Sequence, residues 1–161
     1  LKKRGTMKNN GKRFESNFKN SVPKEILYYR FKDGTGWAGG ETRFQCSNIC
    51  DCLLYDGDFL ILAELKNHKG KSLPLTAIRE NQIKEMTDKA KHKGVVPLLI
   101  VNFEDLGECY FLTIQHLNEF ISKGERKSIP VEYFKTHGHP IPTEKKKVNY
   151  KYDLSVLFNM F

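Results

Sequence analysis

The chain of 161 residues lacks several features that mark common protein classes. It contains no apolar run near the ~20 residues that a membrane-spanning helix requires, and no secretory signal is visible. We therefore expect a cytoplasmic protein that has no membrane partner. The glycine-rich segment at 32–42 is followed neither by Gly-Lys-Ser/Thr nor by a helix signal, which excludes a phosphate-binding P-loop at that place.

Cysteine is also scarce, and the four residues are Cys46, Cys50, Cys52 and Cys109. Three of them cluster, but they lack the paired Cys-x-x-Cys spacing of zinc ribbons. We interpret them as reduced, partly buried thiols rather than as a zinc site.

Acidic residues are too few to balance the basic ones. The chain has 19 Asp and Glu and 27 Lys and Arg, which gives a formal net charge of +8. Such a balance favours a polyanionic partner, most often nucleic acid. Residues 1–8 are expected to form a basic, flexible terminus. Residues 1–6 precede Met7 and are a candidate appended leader, and removal of their three positive charges would lower the net charge from +8 to +5.

The segment from Asp51 to Lys66 organises the chain. Two apolar runs flank Asp56-Gly57-Asp58, which predicts a hairpin of the strands Asp51–Tyr55 and Phe59–Lys66. Because side chains alternate between the faces of a strand, Glu64 and Lys66 share a face, and the hairpin returns Asp51 towards Glu64. Two carboxylates beside one lysine make a site for a hard divalent cation and a phosphate. The alternative is a solvated surface pair of little energetic weight, but the position of Asp51 favours the site.

The remaining pattern predicts one α/β domain over residues 9–161, with a mixed central sheet and helices on both faces. The predicted order is helix, three strands, helix, two strands, helix. Outside the hairpin, the helices are expected near residues 11–22 and over Thr76–Lys93, Ile114–Ile121 and Tyr152–Phe161, the strands over Glu25–Phe31, Val95–Phe103 and Glu108–Thr113, a polar loop over Asn67–Leu75 and irregular chain over 137–142.

Two positions allow two interpretations each. Glu15 lies on the first helix, where it either forms a surface pair with Lys19 or supplies a further carboxylate to the site, and helix position alone favours the pair. Trp37 lies in the glycine-rich loop, where it either stacks on a nucleic-acid base or packs against the domain or a partner subunit.

Six short motifs in chain order carry a resemblance to a known family. They are Gly11-Lys-Arg-Phe-Glu-Ser, Cys50-Asp, Ala63-Glu-Leu-Lys, Ser72-Leu-Pro-Leu, Gln82-Ile and Arg126-Lys-Ser-Ile-Pro. Together with the order Asp, turn, Glu-x-Lys, they resemble the RecU-type Holliday junction resolvases of the PD-(D/E)XK nuclease superfamily over residues 9–155. Cellular members carry a longer protrusion where this chain has its short segment at 32–42, so the resemblance favours a compact, phage-type member.

The resemblance implies a restriction-endonuclease-like core and a homodimeric, Mg²⁺-dependent endonuclease, with Mn²⁺ as a substitute, that resolves four-way DNA junctions by paired nicks. It implies that Asp51 and Glu64 bind the metal, and the backbone carbonyl of Leu65 can add an oxygen ligand to the Mg²⁺ shell. Lys66 would be the catalytic lysine, and the family pattern adds Glu15, against the surface-pair interpretation, and Gln82 to the site. The residues expected to contact DNA are Lys12, Arg13, Arg30, Lys32, Trp37, Arg43, Lys69 and Lys71.

Two other functions fit the same pattern. One is a nuclease of the superfamily with a repair or restriction substrate, and the other is a non-catalytic DNA-binding protein on the same fold. The intact Asp51, Glu64 and Lys66 argue against the second.

Overall fold

A computed structural model describes residues 10–32 and 47–161, and these residues form four α-helices and ten β-strands. The helices are α1 (Asn10–Ser21), α2 (Glu80–Lys89), α3 (Ile114–Lys123) and α4 (Val131–His137). The strands are β1 (Leu27–Arg30), β2 (Cys52–Tyr55), β3 (Leu60–His68), β4 (Ser72–Pro74), β5 (Val95–Phe103), β6 (Glu108–Thr113), β7 (Ser128–Pro130), β8 (His139–Ile141), β9 (Thr143–Lys146) and β10 (Asn149–Tyr152). Two 3₁₀ helices cover Leu75–Ala77 and Leu154–Leu157.

Six strands form the central sheet in the order β1-β2-β3-β5-β6-β8. β3 and β5 are parallel, and every other neighbouring pair in this sheet is antiparallel. A parallel pair needs a long crossover connection, and here α2 lies within that connection. The predicted mixed α/β architecture, a central sheet flanked by helices, is confirmed. Two small two-stranded sheets, β4–β7 and β9–β10, lie outside the central one.

Apolar residues cover both faces of the central sheet, as the alternation within β3 predicts. Ile61, Ala63 and Leu65 pack in one core, and Leu62 packs in the other. α1 and the carboxyl-terminal 3₁₀ helix close the first face, whereas α2, α3 and α4 close the second. The helical core residues are Phe14, Phe18, Leu154 and Leu157 on the first face, and Met86, Leu117 and Phe134 on the second. Burial on both sides holds β3 rigidly, and β3 carries Glu64 and Lys66.

The structure agrees with the expected bounds of the strands at 95–103 and 108–113 and corrects those of the helix predicted at Thr76–Lys93. This helix begins only at Glu80. The 3₁₀ turn ends at Ala77, and Ile78 is extended and 4% exposed. Ile78 therefore packs into the core as part of a loop, and Thr76, which was expected to cap the helix, lies in the 3₁₀ turn before it.

Three further expectations are wrong in part. The polar loop expected over 67–75 contains the end of β3 and all of β4, and the irregular stretch over 137–142 contains β8 at the sheet edge. Pro140 is tolerated there because an edge strand can leave a backbone donor position unused. The helix expected over Tyr152–Phe161 is the last residue of β10 followed by the short 3₁₀ turn, although Leu154 and Leu157 are buried as that helix would require.

Some expectations concern residues outside the described ranges. These are the basic terminus at 1–8, most of the glycine-rich loop at 32–42, and the side chains of Trp37, Arg43 and Cys46. Within the described ranges, no helix has the length and apolar character needed to cross a membrane.

Candidate active site

Asp51 lies where β2 meets the middle of β3. The ladder between the two strands ends at the pair Cys52 and Ala63, and the Asp51 backbone N–H still donates to the Ala63 carbonyl at 3.1 Å. Beyond that point β3 continues without a β2 neighbour. The Asp51 side chain takes the place of the missing strand partner, because its Oδ2 accepts a hydrogen bond from the Leu65 backbone N–H at 2.7 Å.

Glu64 is the buried centre of the site, with 2% of its surface exposed. Its Oε1 lies 2.8 Å from the Lys66 Nζ, and its Oε2 accepts a hydrogen bond from the Gln82 Nε2 at 3.0 Å. The Lys66 side chain is 25% exposed and connects the buried carboxylate to the surface. The structure thus brings together Asp51, Glu64, Lys66 and Gln82, the residues that the family resemblance assigns to one site.

The electrostatics of the two acids are unusual for neutral pH. Burial raises the pKa of Asp51 and that of Glu64, and the Asp51 charge raises the pKa of Glu64 further. The positive charge of Lys66 lowers the pKa of both carboxyl groups. Two ionised carboxylates with one lysine leave negative charge in a poorly solvated place, and a second cation would stabilise it.

Glu15 borders this site from α1, but the surface pair with Lys19 is not formed. Its partner is Arg30 at the end of β1, with 2.8 Å between Glu15 Oε2 and Arg30 Nη2 and 2.9 Å to Arg30 Nε. The Glu15 charge raises the pKa of Asp51, and the Arg30 charge lowers it. Glu15 and Arg30 therefore form a charged pair beside Asp51, and Arg30, which was expected to contact DNA, is engaged within the protein.

Two further residues near Glu64, Asn48 and Arg79, carry no signal in the sequence. The Asn48 carbonyl lies 3.4 Å from the Gln82 Nε2, and the Asn48 Nδ2 donates to the Lys32 carbonyl at 2.6 Å. Arg79, which precedes α2, lowers the pKa of Glu64 through its charge. Arg79 lies inside the helix predicted over Thr76–Lys93, where no pattern marks it, and Asn48 lies in a loop without any motif.

The other expected DNA contacts are spread around the site. Lys12 and Arg13 are exposed on α1, and Lys69 and Lys71 are exposed around the turn between β3 and β4. They do not share one face of the sheet, because α1 packs on the face opposite Glu64.

The described cysteines, Cys50, Cys52 and Cys109, are buried free thiols. Burial raises the pKa of the Cys50 thiol to about 12, so it stays protonated at neutral pH. Oxygen atoms, rather than thiolates, are therefore the ionised donors of this region.

The family model described as Recombination protein U matches residues 19–155 of the chain. The chain belongs to this family. Among relatives of this RecU-family chain, the SPbeta prophage-derived uncharacterized protein YotM of Bacillus subtilis (strain 168) is 29% identical over 92% of the chain and 85% of its own length. The protein named Holliday junction resolvase RecU of Geobacillus kaustophilus (strain HTA426) is 33% identical over 67% of the chain.

The matched region spans only 54% of the Geobacillus protein, so the chain corresponds to about half of that relative. A solved structure of Hjc from Archaeoglobus fulgidus, described as a Holliday junction resolvase, superposes with a TM-score of 0.54 at 18% identity, covering 81% of this chain and 95% of that one. This likeness shows the fold, which is the restriction-endonuclease-like fold predicted from the motifs. The prophage-derived relative agrees with the prediction of a phage-type member.

Proposed function

We propose that this RecU-family protein is a divalent-metal-dependent endonuclease that resolves four-way DNA junctions as a homodimer. The observation that carries the proposal is the convergence of Asp51, the buried Glu64 and Lys66 at the point where β2 ends beside β3. The relatives named as Holliday junction resolvases support the substrate class.

The donors at this point fit a hard cation such as Mg²⁺ or Mn²⁺. Asp51 Oδ1 accepts no hydrogen bond from the described residues. The N–H and C=O of a strand residue point to the same edge, so the Leu65 carbonyl lies on the side where its N–H meets Asp51. Mg²⁺ usually binds through one or two carboxylates and keeps several waters. The described ranges hold no group of three or more His, Cys, Asp or Glu side chains suited to one ion, which is consistent with that sparse mode.

Each residue has a distinct role in the proposed site. Asp51, Glu64 and the Leu65 carbonyl would hold the ion, which when bound supplies Lewis-acid stabilisation of the phosphate and an acidified water. Lys66 reaches solvent from Glu64 and donates to the scissile phosphate or to the attacking water. Gln82 is a positioning residue, because its amide donates to Glu64 and restrains that carboxylate.

The decisive comparison is cleavage of a synthetic four-way junction beside a linear duplex of the same arm sequence, in Mg²⁺. We expect paired nicks in opposing strands of the junction and little cutting of the duplex. Equal cutting of both substrates would favour a nuclease with a repair or restriction substrate, and binding without any cutting would favour a non-catalytic DNA-binding protein.

We expect the dimer contact at the edge strand β1. Paired nicks in a nearly two-fold symmetric junction require two sites, and a closed two-fold dimer supplies them. The apolar strands β5 and β6 do not offer this contact, because their side chains are buried within the domain. By contrast, Leu27 is 58% exposed and Tyr29 is 52% exposed, and Tyr55, across from Leu27, is 41% exposed. An exposed apolar edge strand is a template for pairing with another chain.

Sedimentation at micromolar concentration tests this contact. The wild-type protein should sediment as a dimer, and Leu27→Lys combined with Tyr29→Lys should shift it towards the monomer, because charges on an edge block pairing. Met160→Lys, at another exposed apolar residue, is the matched control. A wild-type chain that stays monomeric when junction DNA is added would rule out the proposed dimer.

A further inference from the structure

A polar cleft of about 240 Å³ lies on the face of the sheet opposite Glu64 and Lys66. Asn67 of β3 and Asn102 of β5, which are paired in register, belong to its lining. α1 and the β9–β10 hairpin supply most of the remaining walls. The cleft is also lined by Asn10, Arg13, Asn17, Glu104, Lys145, Lys147 and Tyr150.

Hydrogen bonds fix several amides of the cleft. Glu104 accepts from Asn10 Nδ2 at 3.2 Å and from Asn67 Nδ2 at 2.7 Å. Asn102 Nδ2 donates to Asn67 Oδ1 at 2.6 Å. The network links α1, β3 and the turn after β5, and it presents a preorganised polar surface.

Asn17 has no such partner. It is 5% exposed and lines the cleft, yet its side-chain amide makes no hydrogen bond to any described residue. No described side chain has a fully enclosed polar atom without a partner, so the amide of Asn17 meets the space of the cleft. The amide is therefore open to solvent through the cleft, and its donors and acceptor are available to a hydrogen-bonding ligand.

The chemistry of the walls matches a nucleotide. Amides carry the paired donors and acceptors that recognise base edges, and the half-buried ring of Tyr150 offers a stacking surface. Arg13, Lys145 and Lys147 are exposed around the cleft and can bind a phosphate. Its volume is below the ~300–1,000 Å³ of pockets for drug-sized ligands, which suits one base rather than a base pair.

We infer that this cleft binds one unpaired nucleotide of a DNA strand. The inference rests on the proposed function, because a four-way junction is base-paired in its arms and a base must leave its partner at the branch point to enter the cleft. Lys66 and Asn67 are consecutive in β3, with Cα atoms ~3.8 Å apart, so a strand that passes the carboxyl end of β3 can reach both faces. The cleft would then hold a nucleotide near the one whose phosphate is cut.

Binding without divalent metal tests the inference separately from cutting. The probes are a short fluorescent single strand of mixed sequence and the same backbone with abasic sites, titrated by anisotropy. The wild-type protein should bind the strand with bases ~10-fold more tightly, the scale of one stacked base. Asn17→Leu and Tyr150→Ala should remove most of that difference, whereas Tyr150→Phe should keep it. Asn20→Leu, exposed on the same helix, is the matched control.

The outcomes separate the alternatives. Equal wild-type affinity for both probes, or a difference that survives both Asn17→Leu and Tyr150→Ala, would overturn the inference. If Asn17→Leu fails to fold, the comparison of Tyr150→Ala with Tyr150→Phe decides, because Tyr150 is only half-buried. Displacement of the strand by a free nucleoside monophosphate at micromolar concentration would also overturn it, by making the cleft a site for free nucleotides. Absence of junction cutting by the wild-type protein would contradict the nuclease proposal. The difference in affinity between the two single-stranded probes could still be measured.

Discussion

Glu64→Gln is expected to abolish Mg²⁺-dependent cutting of a four-way junction while leaving junction binding nearly unchanged. The change keeps the shape and removes the charge of a side chain that is 2% exposed. The cutting rate should fall at least ~10³-fold, beyond the ~10–100-fold typical of residues that only support a metal ligand. Binding should persist because Lys and Arg contacts to phosphates supply most of the affinity. Single-turnover cleavage and metal-free gel shifts measure the two effects.

Asp51→Asn should behave in the same way, because Asn can still accept the Leu65 N–H while losing the ionised oxygen. Glu85→Gln and Asp58→Asn are the matched controls, since both residues are exposed and stand outside the proposed site. Near-normal cutting by either site variant would remove the assigned carboxylates from the mechanism. Loss of junction binding together with cutting would instead indicate a structural role.

The site was predictable where its geometry is local. Asp56-Gly57-Asp58 forces a hairpin, and the two-residue period of a strand then puts Glu64 and Lys66 on one face. The burial of Glu64 could not be predicted in the same way. It depends on the packing of α2, whose start was predicted at the capping candidate Thr76 and lies at Glu80. Gln82 entered the site through family resemblance alone.

Contacts between distant segments were the least predictable. Arg30 and Glu15 meet because α1 packs across the sheet near β1, and an i,i+4 rule along α1 pointed to Lys19 instead. The β9–β10 hairpin was not predicted from the sequence for a related reason. Three of its four β9 residues are exposed, so they carry no apolar alternation, and Tyr152 is anchored by tertiary contact with Phe14.

Lys66→Ala should lose cutting by a similar factor and yet still bind Mg²⁺. Lys66 lies 2.8 Å from Glu64 Oε1 and competes with any cation for that oxygen. Its removal leaves the buried carboxylate without a neutralising partner, which raises the pKa of Glu64 further above its ordinary value. A carboxyl group with a raised folded pKa contributes stability at low pH and loses it as the pH rises through that pKa. The metal-free variant should therefore become less stable than the wild type as the pH increases.

Mg²⁺ should reverse that loss, because a ligand of the folded state stabilises it by mass action. Metal binding needs the ionised carboxylate, so the Mg²⁺-dependent rise in Tm should be large at high pH and smaller at low pH. This decrease on acidification should be steeper in Lys66→Ala than in the wild type. Thermal unfolding with and without Mg²⁺ across the neutral range measures this, with Lys84→Ala, exposed on α2, as the control. A variant that cuts normally would exclude Lys66 from catalysis. A variant whose Tm does not respond to Mg²⁺ even at high pH would instead show that Lys66 holds the Glu64 carboxylate in its metal-binding position.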